Sequence, residues 1–325
     1  MTGLPSGLAM ALTEVLGAAP VRAMPLGGGM INRAARVDLP DGVVFVKWKD
    51  DAPPGFFAAE ADGLFRLRAS QTLRVPRVLA FHDRDATTIA PPLRTFGQRG
   101  RGSPRSGGWV RSLPLFPVPF LALEYIAEHR PADESRFARR FGERLAALHQ
   151  QTVSPFGAFG LEKSNFLGVM VQLNTPHDCW PAFYRDCRLL PQIAIARQNG
   201  LLPPEREQRL MEVVAQIDRL MDGLDARPTL LHGDLWSGNF LAASEEPVVI
   251  DPAVYYGERE VEIAYMELFG GFPPGLLPAY RAAFPLPDGY ARRRPMHQLY
   301  PLLIHVNHFG ETYGPRLDST LARIA

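Results

Sequence analysis

The sequence predicts an α+β fold in two parts. Residues 1–126 read as a small antiparallel sheet with one internal helix, and residues 127–325 as a larger, mainly helical region. Three observations carry this reading. Short apolar runs bounded by glycine, proline and the Asp41-Gly42 turn signal crowd the first part. From Asp133 onward, apolar residues recur at helical spacing. Between those helices lie two short apolar runs, Thr229-Leu230-Leu231 and Pro247-Val248-Val249-Ile250, each leading to an aspartate.

Residues 7–19 are apolar and rich in small side chains, like a secretory signal, but they lack a basic leader and Glu14 interrupts them. A short amphipathic helix is expected there. Strands are expected over 21–26, 35–38 and 43–47, the last two joined by a hairpin at Asp41-Gly42. A helix over 56–68 carries Glu60, Leu64 and Leu67, and further strands are expected over 75–81 and 120–125. Residues 91–119 are rich in Gly, Pro, Ser and Arg, with Arg94, Arg99, Arg101, Arg105 and Arg111 and no acidic residue. That composition cannot bury a core and reads as a solvated loop or insertion. Helices are expected over 137–150, 179–198, 205–221, 260–269 and 297–309.

Lys plus Arg is 35 and Asp plus Glu is 34. So even a balance gives no reason to expect nucleic-acid or membrane-surface binding. No stretch approaches the ~18 uninterrupted apolar residues of a membrane-spanning helix. On one helix, Cys179 and Cys187 would stand roughly 12 Å apart, too far for a disulfide. A reducing cytoplasm fits. His305 and His308 have the spacing of a metal pair but lack an evident third ligand.

The chemistry concentrates in Leu231-His232-Gly233-Asp234-Leu235-Trp236-Ser237-Gly238-Asn239, followed by Asp251. An Asp five residues before an Asn, with a second Asp downstream, is the spacing of a phosphoryl-transfer site. Asp234 is then the group that takes the acceptor hydroxyl proton, and Asn239 and Asp251 are hard oxygen ligands for Mg²⁺. Such a site also needs a lysine on the nucleotide phosphates and a helix carboxylate to hold it. Lys47 closes a strand and Glu60 follows on the next helix; Lys49 competes with Lys47. The glycine run, Gly28 and Gly29 in particular, lets backbone amides approach a phosphate. Backbone around Glu124, Tyr125 and Ile126 would pair with adenine. His232 is expected to orient the loop by hydrogen bonds, and His149 to be a satisfied core histidine.

These motifs resemble the fructosamine kinase family (ketosamine-3-kinases), in the protein-kinase-like superfamily that also holds aminoglycoside and choline kinases. The resemblance runs through Trp236-Ser237-Gly238, Asp251-Pro252-Ala253-Val254-Tyr255-Tyr256-Gly257, Leu268-Phe269-Gly270-Gly271-Phe272 and Asn307-His308-Phe309-Gly310. It covers nearly the whole chain except 91–119. It implies a bilobal protein-kinase-like fold and ATP-dependent phosphorylation of the C3 hydroxyl of ketosamines. These would be ribulosamine or fructosamine, free or on glycated protein lysines. Spontaneous elimination of the phosphate would then release the amine. Trp236 becomes a candidate wall for the sugar, with ordinary packing as the alternative. Two departures stand out. Met30 occupies a position where relatives carry cysteine, and Glu262 one where the family carries Asp. The alternatives are a small-molecule hydroxyl kinase of the aminoglycoside or choline type, and a non-catalytic nucleotide-binding module. Oligomeric state is not legible.

Overall fold

In the computed structural model, which describes residues 3–27, 32–83 and 118–324, the chain forms two compact units. One gathers Met1–Arg66 and Val75–His129, the other Leu67–Arg74 and Arg130–Ala325. The α+β organisation is present, with an antiparallel sheet in the first unit and mostly helix in the second.

In the first unit, helix α1 (Ser6–Leu16) buries Leu8, Ala11 and Leu12 and stops at Gly17, whose φ of 72° ends it in the left-handed region. Strands β1 (Arg22–Leu26), β2 (Arg33–Leu39) and β3 (Gly42–Trp48) form an antiparallel meander. The turn differs from the expected Asp41-Gly42. Gly42 already pairs with Leu39, so Pro40 and Asp41 are the two loop residues and the glycine opens β3. Helix α2 (Phe56–Ala69) follows. The Phe57 and Ala58 N–H groups donate to the Asp83 carboxylate at 3.1 and 2.7 Å, which satisfies amides that a helix start leaves open. Strands β4 (Val78–His82) and β5 (Phe120–Glu124) complete a sheet ordered β1-β2-β3-β5-β4. The strand expected from residue 75 begins at Val78; Pro76 has no N–H to give a ladder. Leu8, Ala11 and Leu12 pack on Val37, Val44, Val46 and Phe120 from the sheet. Of the expected insertion, Val118 and Pro119 are described. Val118 is buried and the Pro119 carbonyl accepts the Lys49 N–H at 3.3 Å. The rest of that segment lies outside the described residues, as do Gly28, Gly29 and Met30.

The second unit opens with α3 (Glu134–Gln151), capped by the Asp133 carboxylate on the Arg136 N–H at 2.9 Å. A short hairpin the sequence did not announce follows, β6 (Asn165–Leu167) and β7 (Met170–Gln172). The single helix expected over 179–198 is interrupted. Helix α4 (Trp180–Tyr184) passes through a π turn, Arg185–Leu189, into α5 (Leu190–Gln198). Pro191 cannot donate to the preceding turn, and the Cys187 carbonyl instead accepts from the Arg188 guanidinium at 3.0 Å. Both cysteines are free thiols, Cys179 exposed and Cys187 buried.

The helix expected over 205–221 breaks at Gln216 into α6 (Pro204–Ala215) and α7 (Ile217–Leu220). Next come β8 (Thr229–Leu231), β9 (Phe240–Ala243), β10 (Glu246–Val249) and β11 (Tyr255–Gly257). β8 pairs with β11 and β9 with β10, both antiparallel. Helices α8 (Glu260–Phe269), α9 (Leu276–Ala283), α10 (Tyr290–His297), α11 (Leu299–Phe309) and α12 (Gly314–Leu321) complete the unit. The helix expected from residue 297 therefore starts at Leu299, after Gln298 closes α10. Gly142 lets α9 lie directly on α3, since a Cβ there would stand 2.8 Å from the Tyr280 nitrogen. Trp180, Phe183, Tyr184, Leu299 and Leu303 lie at the core. Among the described residues, no helix is long and apolar enough to cross a membrane.

Candidate active site

Strand β8 ends at Leu231 and hands the chain to His232, Gly233 and Asp234. The loop that follows is tied to its surroundings by backbone bonds. The Ala253 N–H donates to the His232 carbonyl at 2.9 Å, and the Ile250 N–H to the Asn239 carbonyl at 3.0 Å. Gly233 takes a φ of 83°, and a Cβ on it would run into the Ala253 carbonyl. His232 is fully buried. Its Nε2 donates to the Ile250 carbonyl at 2.9 Å, which leaves Nδ1 to accept the Asp234 N–H at 3.3 Å. Burial holds its pKa below the usual histidine value, so the ring is neutral and organises the loop.

Both oxygens of Asp234 are engaged. Oδ1 accepts from the Tyr265 hydroxyl at 2.6 Å, and Oδ2 from Asn239 Nδ2 at 2.9 Å. The same Asn239 nitrogen reaches the Asp234 carbonyl at 2.8 Å. Burial pushes the Asp234 carboxyl up to about 7, against the hydrogen bonds from Tyr265 and Asn239, which lower it. A carboxyl poised near neutrality suits a general base.

Behind the loop stands Glu262, on α8. Its Oε1 accepts the Gly233 N–H at 2.7 Å; its Oε2 accepts the His232 N–H at 3.3 Å and faces His149 Nε2 at 2.9 Å. His149 Nδ1 meets the Tyr280 hydroxyl at 2.9 Å, and Arg259 donates to that hydroxyl at 3.2 Å. Burial alone would raise the Glu262 carboxyl; the His149 hydrogen bond, the electrostatic pull of His149 and His232 and the Gly233 N–H together outweigh it and keep the group below the usual range. Glu262 thus spans from helix to loop. His149 is satisfied at both nitrogens, as expected of a core histidine, and is part of the brace.

Asp251 is exposed and sits in the left-handed region with φ of 54°, an uncommon place for a non-glycine residue. Asn239 and Asp251 offer hard oxygen donors, a set that fits Mg²⁺ completed by phosphate oxygens and water. The Asn239 amide nitrogen is committed to Asp234, so its Oδ1 is the atom that suits a cation. Trp236 is 42% exposed and its ring lies over Gly238. His305 and His308 each engage a carbonyl one turn earlier through Nδ1, at 2.8 and 3.0 Å. Among the described residues, no cluster of three His, Cys, Asp or Glu could hold a metal.

In the first unit, Lys47 is buried and ion-paired with Glu60. Lys49 lies beyond the end of β3 and pairs with Asp51 at 2.7 Å. The Glu124 carboxylate accepts the Arg77 N–H at 3.2 Å, and the Glu124 N–H donates to the Arg77 carbonyl at 2.8 Å. The Arg36 guanidinium lies 5.4 Å from the Tyr125 ring centre, and Ile126 is half-buried.

Tyr265 was not singled out by sequence reasoning, and neither was the link from His149 to the loop. A signal for Tyr265 existed. It lies three residues after Glu262, so both occupy one face of α8.

Residues 7–325 match the family model for fructosamine kinase. The chain is 35% identical over 302 residues to a probable ketoamine kinase of Enterococcus faecium, covering 92% of this chain and 94% of that one. A crystal structure from Thermobifida fusca, provisionally assigned as a fructosamine-3-kinase, matches with a TM-score of 0.80 at 33% identity over 99% of both chains. The aminoglycoside phosphotransferase APH(4)-Ia shares the fold, with a TM-score of 0.62 at 15% identity over 98% of this chain and 99% of that one. A thermostable mutant of that phosphotransferase has been solved with AMP-PNP and hygromycin B. By its matched length and its relatives, the chain belongs to the fructosamine kinase family.

Proposed function

We propose that this protein is an ATP-dependent kinase that phosphorylates the C3 hydroxyl of ketosamines, free or on glycated lysines. The observation that carries the proposal is the Asp234 carboxylate, held on both oxygens in a loop braced by Glu262. Asp234 takes the proton of the acceptor hydroxyl. The hydroxyl oxygen forms its bond to the γ-phosphorus as the bond to the bridging oxygen breaks, and ADP leaves with that electron pair. Lys47, held by Glu60, neutralises phosphate charge, and backbone at Glu124, Tyr125 and Ile126 pairs with adenine. Gly28 and Gly29 bring backbone amides to the phosphates. Asn239 and Asp251 would hold Mg²⁺, which supplies positive charge against the phosphate oxygens when bound. Trp236 offers an aromatic face to the sugar. The phosphorylated product loses a C1 proton to give an enaminol, expels the C3 phosphate and hydrolyses to the free amine. Two free thiols suit a reducing compartment such as the cytoplasm.

The test is ATP consumption with Mg²⁺ and ribulose-lysine, fructose-lysine or an aminoglycoside, with phosphorus NMR locating the new ester. Turnover on a ketosamine with phosphate at C3 is expected. Turnover on the aminoglycoside alone would move the acceptor to another class of hydroxyl. ATP binding without turnover on any acceptor would overturn the ketosamine assignment.

A further inference from the structure

We infer that Tyr265 is a positioning residue for the phosphoryl-acceptor step, acting through Oδ1 of Asp234. The inference rests on the reading of Asp234 as the base given above.

The phenol-to-carboxylate distance is 2.6 Å, the short end expected of an O–H donor on a charged acceptor. The Tyr265 ring is buried and meets Phe269 edge-on with centres 5.1 Å apart. Phe269 in turn stacks on His305 at 4.5 Å. Packed on its flank, the ring is held against swinging away from Asp234. Burial and the adjacent carboxylate push the phenol well above its ordinary pKa, so Tyr265 keeps its proton and remains a donor.

The Asn239 amide occupies the other oxygen at 2.9 Å. One donor on each oxygen fixes the carboxylate torsion, and each oxygen retains a second lone pair for the incoming proton. Tyr265 therefore orients the base and transfers no proton itself. Helix α8 grips the loop twice, by its backbone through Glu262 and by its side chain through Tyr265. Orientation of this kind acts on the reacting geometry and leaves nucleotide affinity alone.

The experiment compares Tyr265→Phe with Tyr300→Phe, using ribulose-lysine as acceptor. Tyr300 also has a buried hydroxyl, which donates to Gln172 Oε1 at 2.9 Å, and so controls for losing a buried phenol hydrogen bond elsewhere. Tyr265→Phe is expected to lower kcat about tenfold to a hundredfold, with KM for ATP and the melting temperature nearly unchanged. Tyr300→Phe is expected to keep kcat. The inference is overturned if Tyr265→Phe keeps wild-type kcat, or if both variants lose activity in step with their melting temperatures. Asp234→Asn separates the two levels. If it is inactive while Tyr265→Phe is normal, the positioning role alone falls; if it turns over normally, the base assignment falls and the positioning role with it.

Discussion

Glu262 Oε1 accepts the Gly233 N–H at 2.7 Å, so a carboxylate on α8 holds the backbone one residue before Asp234. Its other oxygen serves His149 and the His232 N–H. Glu262→Ala leaves these buried donors without a partner. A loss of about 3–5 kcal/mol is expected, seen as a fall of roughly 5–15 °C in Tm. The sign of the pH effect follows from a carboxyl held below its usual value. Its stabilisation is present above the ordinary glutamate pKa of about 4.3 and fades as pH falls below it. The Tm gap between wild type and variant should narrow from pH 6 to pH 3; a constant gap would contradict the brace.

Asp234→Asn should abolish turnover without weakening the fold. The Asp234 carboxyl is raised by burial to about 7. A raised carboxyl favours folding below its unfolded value of about 3.9, and that contribution is lost as pH rises towards 7. The asparagine variant should therefore match wild type near pH 4 and melt higher at pH 8. In the wild type, activity should fall on the acid side of about pH 7, where the base is protonated. A variant melting well below wild type at pH 8 would show that the carboxylate stabilises the loop.

Lys47→Ala should lower kcat/KM for ATP by roughly 100-fold or more. Lys49→Ala should leave it nearly unchanged, since Lys49 pairs with an exposed Asp51 at 2.7 Å. Steady-state ATP kinetics decide this, and the reverse pattern would reassign the phosphate contact to Lys49.

Gly238→Ala would place a methyl group in the space held by the Trp236 ring. The displaced ring should raise KM for the ketosamine severalfold with KM for ATP unchanged. A change in tryptophan emission should accompany it, and Trp236→Phe should remove that change. An unaltered acceptor KM would make Trp236 a packing residue of the loop.

The parts of the site that were readable in the sequence are those set by neighbours along the chain. Apolar runs ending in polar residues announce β8 and β10, and these place His232-Gly233-Asp234 and Asp251. Lys47 and Glu60 were readable as a pair because a strand lysine is followed by one helix with an inward carboxylate. What escaped depends on distant packing. Tyr265 reaches Asp234 across 31 residues, and His149 reaches Glu262 across 113. Neither carries a local motif. The π turn at Arg185–Leu189 needs the knowledge that a guanidinium takes up the Cys187 carbonyl. Helices α9 and α10 are eight residues each and begin after left-handed glycines, too short for periodicity to declare them.

Asp251 makes a different kind of point. Its backbone φ of 54° is one that glycine adopts freely and that strains most other residues by about 1 kcal/mol. A glycine at this position would relax the backbone and discard the carboxylate. If Asp251 holds Mg²⁺ as proposed, backbone geometry and chemistry favour different residues at one site. On that reading, the demand for turnover keeps an aspartate where backbone geometry alone would accept glycine.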